Sequence, residues 1–300
     1  MKPLPPDKNI CLSMKKAYLC TLMKNRFLIL AVLVSLLAAC RSEYEQVRLS
    51  NDPERIQKKA VEYYQDGEYQ KALSLIEIII NSFRGRSEFE DLNYMMADSY
   101  YHLRDYEMAS QYFKNFANGF LNSSRREEAD FLSAYCYYLL SPSWRLDQDN
   151  TIKAINSLQT FINAYPNSER NTQCNTLMDE LRLKLEEKAF QQGILYYNLR
   201  QYQAAIYSLD NMLKDFPDTK RPDEVRYYII KSAFEYAANS VYDKRKERYE
   251  EAVERGEEFL KKHRNSDYLR EVRDIVAESK TKLKLLENER YQIQSSRNGS

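Results

Sequence analysis

From residue 53 onward apolar residues recur three or four positions apart, the spacing of one helix face, and short polar stretches interrupt them. In Ala60-Val61-Glu62-Tyr63-Tyr64-Gln65-Asp66-Gly67-Glu68-Tyr69-Gln70-Lys71-Ala72 a small residue stands three before a Tyr. Gly-x-Tyr-x-x-Ala then leads through a turn into a second helix. The frame recurs at Ala97, Tyr100, Tyr106, Ala109, Phe113 and Phe116, and again at Gly193, Tyr196, Tyr202, Ala205 and Leu209, ending at Pro217. Two further copies have a longer inner turn. Ala134 and Tyr137 lead through a loop at 141–150 into Ala154, Leu158, Phe161 and Pro166; Ala233 and Tyr236 lead through 243–246 into Ala252 and Phe259. The closing alanines at 72, 109, 154, 205 and 252 lie 37, 45, 51 and 47 residues apart.

Such self-similarity is what stacked helix pairs require. Alanine or glycine at a crossing point lets two helix axes approach to about 8–10 Å, and larger side chains fill the space beside the contact. The pattern therefore predicts an all-α fold, an α-solenoid of about five tetratricopeptide-type helix pairs. The prolines agree, since Pro53, Pro142, Pro166, Pro217 and Pro222 all fall at expected helix edges, where a missing N–H costs little. Between 168 and 199 the spacing of Leu177, Leu181, Leu185, Phe190 and Ile194 continues without a breaker and predicts one helix of about twice the usual length. Repeats 1–3 occupy 53–167 and repeats 4–5 occupy 168–286; residues 41–52 read as a tether, and 287–300 as a polar tail expected to fray.

Ahead of the repeats, Lys24 and Arg26 open a segment that is almost purely apolar from Phe27 to Ala39 and ends at Cys40. As a helix those residues would span about 20 Å, short of a hydrocarbon core of about 30 Å, so the segment reads as an export signal over 1–39 and not as a membrane anchor. Residues 1–22 precede a complete signal, and Met14 and Met23 are both plausible initiators. Leu37-Ala38-Ala39-Cys40 resembles the bacterial lipobox, which implies diacylglycerol and an N-acyl chain on Cys40; acyl chains at about 0.8 kcal/mol per buried methylene hold a protein to a membrane.

Composition narrows the function. With 6 Gly, 25 Tyr and 30% charged residues, the chain suits helices with aromatic packing and charged outer faces. Without 1–39 it keeps 39 Lys plus Arg against 43 Asp plus Glu, a net charge of −4, which disfavours nucleic acid as a partner. No catalytic constellation is legible. His102 and His263 stand apart, without Cys or Asp at metal spacing, and read as solvated helix-end residues. The glycines at 67, 85, 119, 193 and 256 stand singly and build no phosphate loop. Glu127-Glu128 and Glu186-Glu187 read as solvated helix faces, Lys244-Arg245-Lys246 as a basic loop, and Cys136 and Cys174 as small buried hydrophobes. No cofactor or metal is expected, and the chain is read as no enzyme.

The candidate site is a surface. In a tetratricopeptide stack the first helix of each pair lines the inner face, which in this frame places Gln57, Tyr64, Tyr94, Asp98, Tyr101, Phe131, Tyr135 and Tyr138 inward. That is an aromatic groove suited to an extended peptide, whereas Tyr63, Tyr100, Tyr137 and Tyr196 fall where helices meet.

The lipobox, the five repeats, the two longer inner turns and Ala164-Tyr165-Pro166-Asn167-Ser168 together resemble the BamD family, lipoproteins of the outer-membrane β-barrel assembly machinery. Ser141-Pro142, Leu146 to Thr151, Ala154-Ile155 and Leu158 to Ile162 look like the versions found in Bacteroidetes-type bacteria. The resemblance covers 40 to about 286, and Arg41 and the longer C-terminal extension depart from it. It implies a scaffold anchored in the outer membrane and facing the periplasm. It also implies two partners: unfolded outer-membrane proteins received at the N-terminal repeats, and the periplasmic domains of the central barrel-inserting subunit docked toward the C-terminal repeats. Two other classes fit the residues less closely. One is a tetratricopeptide lipoprotein serving other envelope or division proteins; the other is a glycan-binding lipoprotein, for which Trp144 is the only tryptophan.

Overall fold

The structure is a computed structural model whose described residues run from 43 to 298, with side chains as far as 289. The expected export signal and the acylated Cys40 lie outside them. The described residues form twelve α-helices and no strand. Packing divides the chain into one unit ending at Phe120 and a second beginning at Leu121, a boundary inside the stretch 53–167.

The first unit holds α1 (Glu43–Arg48), α2 (Pro53–Gln65), α3 (Tyr69–Ile79), a 3-10 turn (Ile80–Phe83), α4 (Glu88–His102) and α5 (Tyr106–Gly119). Asp52 starts α2: its side chain accepts from the backbone N–H of Glu54 and Arg55, and Pro53 follows as first helical residue. The small side of each crossing is occupied as the repeat requires, with Ala60, Ala72, Ala97 and Ala109 all at 0% exposure. Phe113 and Phe116 are buried with them, each contributing roughly 2–3 kcal/mol of apolar burial. Part of the expected tether is ordered: Val47 of α1 is buried against the first-repeat core, Tyr44 meets the Tyr63 ring edge-on at 6.0 Å, and Glu43 lies 2.9 Å from Lys59.

The second unit holds α6 (Arg126–Leu140), α7 (Asp149–Ala164), α8 (Asn171–Asn198), α9 (Tyr202–Asp215), α10 (Pro222–Ala238), α11 (Tyr242–Lys262) and α12 (Leu269–Asn298). Ala154, Ala205 and Ala252 are again at 0% exposure, and the long helix expected between 168 and 199 is α8, of 28 residues. Gly193 and Gly256 mark the tightest crossings. A Cβ on Gly193 would stand 2.3 Å from Leu209 Cδ2, and one on Gly256 would stand 2.3 Å from Val276 Cγ2.

Two kinds of turn recur. Within pairs, Gly67, Arg104 and Arg200 take left-handed backbone angles (φ 77°, 62° and 60°), and the next residue's N–H bonds back to Tyr63, Tyr100 or Tyr196. After α7, α9 and α11, a Ser or Thr hydroxyl accepts the N–H two residues on: Ser168 from Arg170, Thr219 from Arg221, Ser266 from Tyr268. The long inner turn after α6 is tied down. Gln148 donates to the carbonyls of Ser143, Leu146 and Asp147, while Lys184 and Lys188 of α8 reach Ser141 and the Leu146 carbonyl.

Several expectations need correcting. Residues 243–246 form no loop: the extra length of the last repeat is helix, and α11 begins at Tyr242. Lys244 lies 3.2 Å from Glu247 there, Arg245 donates to the Ser240 carbonyl, and Lys246 lies 3.2 Å from Glu287. Nor are the acidic pairs merely solvated. Glu127 accepts from Ser168 (2.6 Å) and Glu128 pairs with Arg170 (3.4 Å); Glu186, nearly buried, accepts from Thr219 (2.6 Å), and Glu187 pairs with Arg221 (2.5 Å). Each pair clamps the turn that delivers the next helix. His263 closes α11 and binds Asp223 at 2.6 Å while stacking on Phe259, because the helix end is packed against the start of α10. The polar tail continues as helix to Asn298.

Candidate protein-binding site

In the first unit, Gln57 and Tyr64 are seven residues apart on α2, and Tyr94, Asp98 and Tyr101 follow at spacings of four and three on α4, so each set shares one helix face. The Tyr64 hydroxyl donates to Asp98 Oδ2 at 2.5 Å. Burial first, and then that bond, hold Tyr64 far above the ordinary tyrosine range, so it remains a neutral donor. Asp98 Oδ2 also lies 3.3 Å from His102 Nε2. The His102 ring stacks flat on Tyr69 (4.2 Å, 3°), Tyr64 meets Tyr69 edge-on, and Tyr101 meets both His102 and Tyr106 edge-on at 5.7 Å. The result is a half-buried aromatic face organised around one carboxylate.

Tyr94 stands on the same face of α4, and its ring also meets Phe113 at 5.8 Å and Phe116 at 5.3 Å between α4 and α5. Gln57 is half-buried on α2. Tyr69, His102 and Tyr106 were missed by sequence reasoning, although the two tyrosines begin the second helices of their pairs and the repeat frame marks them.

In the second unit, Phe131, Tyr135 and Tyr138 form a ladder along α6, stacked at 5.7 Å and then 5.5 Å with planes 13° and 15° apart. Phe131 is the buried end, at 3% exposure, under the Arg170 guanidinium and edge-on to Phe161; it is core and offers no open face. Tyr135 and Tyr138 are half-exposed. The Tyr138 hydroxyl donates to Glu180 of α8 at 2.6 Å, and that bond, with burial second, pushes it up to about 12. Sequence reasoning stopped at this repeat and missed the aromatic cluster that follows, Tyr197, Tyr227, Tyr228 and Tyr268. Tyr197 was recoverable, since it occupies the frame position of Tyr64, Tyr101 and Tyr138.

Chemically, these faces offer ring surfaces, phenol oxygens and a few carboxylates. Paired helices with small residues at every crossing define a tetratricopeptide-like repeat protein. The chain belongs to the YfiO family, the BamD-type outer membrane lipoproteins, whose pattern matches residues 50–233. No curated protein matches the chain. Among solved structures, MamA of AMB-1 is similar at 14% identity over 72% of this chain and 93% of its own, with a TM-score of 0.28. TTC0263, a thermophilic TPR protein in Thermus thermophilus, is similar at 17% identity over 76% and 98%, also with a TM-score of 0.28. No described helix is long and apolar enough to cross a membrane.

Proposed function

We propose that the chain is a non-catalytic scaffold of the outer-membrane β-barrel assembly machinery, in the Bacteroidetes-type form that the stretch from 141 to 162 resembles. Diacylglycerol and an N-acyl chain on Cys40 hold it to the outer membrane, with its body on the periplasmic side. The N-terminal repeats receive extended, aromatic-rich segments of unfolded outer-membrane proteins on two separate faces, one of Tyr64, Asp98 and Tyr101 in the first unit and one of Tyr135 and Tyr138 in the second. The C-terminal repeats, 168–286, dock the periplasmic domains of the central barrel-inserting subunit. Membership of a family of outer membrane lipoproteins carries this reading. The half-exposed tyrosines support it, because a ring with a polar tip gives large contact area at low entropy cost.

The test is capture of the full chain from detergent-solubilised outer membrane, with mass spectrometry of what elutes. Recovery of a large β-barrel protein with periplasmic domains supports the proposal; recovery of soluble envelope or division proteins alone overturns it. Tyr101→Ala with Tyr138→Ala is expected to weaken binding of barrel-protein peptides while stability stays within about 2 kcal/mol. Cys40→Ser is expected to release the chain from the membrane.

A further inference from the structure

In the second unit one lysine stands among three tyrosine rings. Tyr227, Tyr228 and Lys231 share one face of α10, four and three residues apart, and Tyr197 of α8 meets Tyr228 edge-on. Lys231 Nζ lies 5.2 Å from the Tyr197 ring centroid, 5.5 Å from Tyr227 and 5.9 Å from Tyr228. Tyr227 in turn stacks face to face on Tyr268 at 4.6 Å, which extends the aromatic cluster beyond Lys231. Tyr64 and Tyr138 each donate to an acidic side chain, whereas Lys231 has no ion-pair partner among the described residues. Glu235, a turn further on, accepts from Asn239, and Glu224 stands a turn before Tyr228.

A half-buried ammonium among ring faces, with no counter-ion, has lost part of its water and attracts an anion more strongly than a free lysine does. We propose that Lys231, Tyr197, Tyr227 and Tyr228 receive the side-chain carboxylate of an Asp or Glu in an extended segment of a partner protein. Lys231 supplies the charge and the phenols supply donors. In an extended chain, residues two apart point the same way about 7 Å from each other. An aromatic residue two positions from the acid therefore reaches the Tyr227–Tyr268 stack, and the favoured ligand is acid-x-aromatic. The proposal rests on the reading of this protein as a binder of extended segments and adds to it a second, charge-selective site.

Fluorescence anisotropy of the full chain with capped peptides tests it, using Asp-x-Tyr repeats, the Asn-x-Tyr equivalents and a Lys-x-Tyr series. Wild type should prefer Asp-x-Tyr over Asn-x-Tyr by about tenfold, the scale of one charge-assisted hydrogen bond. Lys231→Met should abolish that preference, bringing Asp-x-Tyr down to the level of Asn-x-Tyr, and Lys231→Glu should transfer it to Lys-x-Tyr. Thermal melts confirm that the variants fold, and Lys231→Gln serves where Lys231→Met does not. If peptides bind but charge makes no difference, this site is refuted and the scaffold reading stands; if no peptide binds at all, both fall. Preference for an uncapped C-terminal carboxylate, or competition by anionic phospholipid vesicles that is lost in Lys231→Met, would also overturn it.

Discussion

The Thr219 hydroxyl donates to the Glu186 carboxylate at 2.6 Å across 33 residues of sequence, and one repeat earlier Ser168 does the same to Glu127, also at 2.6 Å. In both places the following glutamate pairs with the arginine two residues past the hydroxyl. The same four-residue clasp is therefore built twice, each copy tying the turn before a helix pair to the first helix of the pair before it.

Breaking the buried copy should cost more. Thr219→Val leaves Glu186 nearly buried and short of a donor, with an expected loss of about 1–3 kcal/mol. Ser168→Ala, at a half-buried site, should cost about 1 kcal/mol or less. Urea denaturation of the two variants side by side measures the difference, and equal losses would contradict the clasp.

The crossing glycines should separate from an uncrowded one. Ala at 193 drives a methyl group into Leu209, which is fully buried and cannot swing away, so a net loss of about 1–3 kcal/mol is expected. Gly256→Ala against Val276 should behave alike. Gly119→Ala meets nothing within 4 Å and should be neutral or gain up to about 1 kcal/mol from helix propensity. Melting temperatures of the three variants give the order.

Arg104 and Arg200 hold left-handed backbone where the first pair uses Gly67. Replacing either with glycine removes a steric cost of about 1–2 kcal/mol but loosens the unfolded chain, for an expected net gain of about 0.5–1 kcal/mol. A lower melting temperature in both variants would refute this.

Alkaline pH should weaken the second unit through its tyrosines. Tyr138 and Tyr165 are both pushed up to about 12, Tyr138 chiefly by its bond to Glu180, Tyr165 by burial and then by Asp130. A raised folded value means the native state holds its proton more tightly. That contribution is intact below about 10, the ordinary tyrosine value, and disappears as pH climbs through 12. Denaturation midpoints between pH 9 and 12 should fall, and fall less steeply in Tyr138→Phe.

The helix pairs were legible because their signal is local and repeated: each closing alanine is fully buried, and each proline among the described residues sits at a helix edge. Spacing between Ala233 and Ala252 showed that extra residues intervene, but not that they extend α11, since helix and loop can both absorb length. Glu127 and Glu186 read as solvent-facing because their partners lie 41 and 33 residues away, beyond any periodicity. Within the candidate site, the frame brought Tyr64 to Asp98 yet could not rank exposure, which is why Phe131 turned out to be core. Lys231 escaped notice because a lone lysine is ordinary in sequence; only the fold surrounds it with rings.

Cys136 and Cys174 are buried free thiols, and burial pushes Cys136 up to about 12. Oxidants and alkylating reagents act on the thiolate, which such surroundings suppress. Each sulfur is therefore a sealed label: it stays inert while its helices remain closed and reacts when they part. The rate at which an added thiol reagent modifies the two, read by mass, is a built-in clock for the breathing of this half of the molecule.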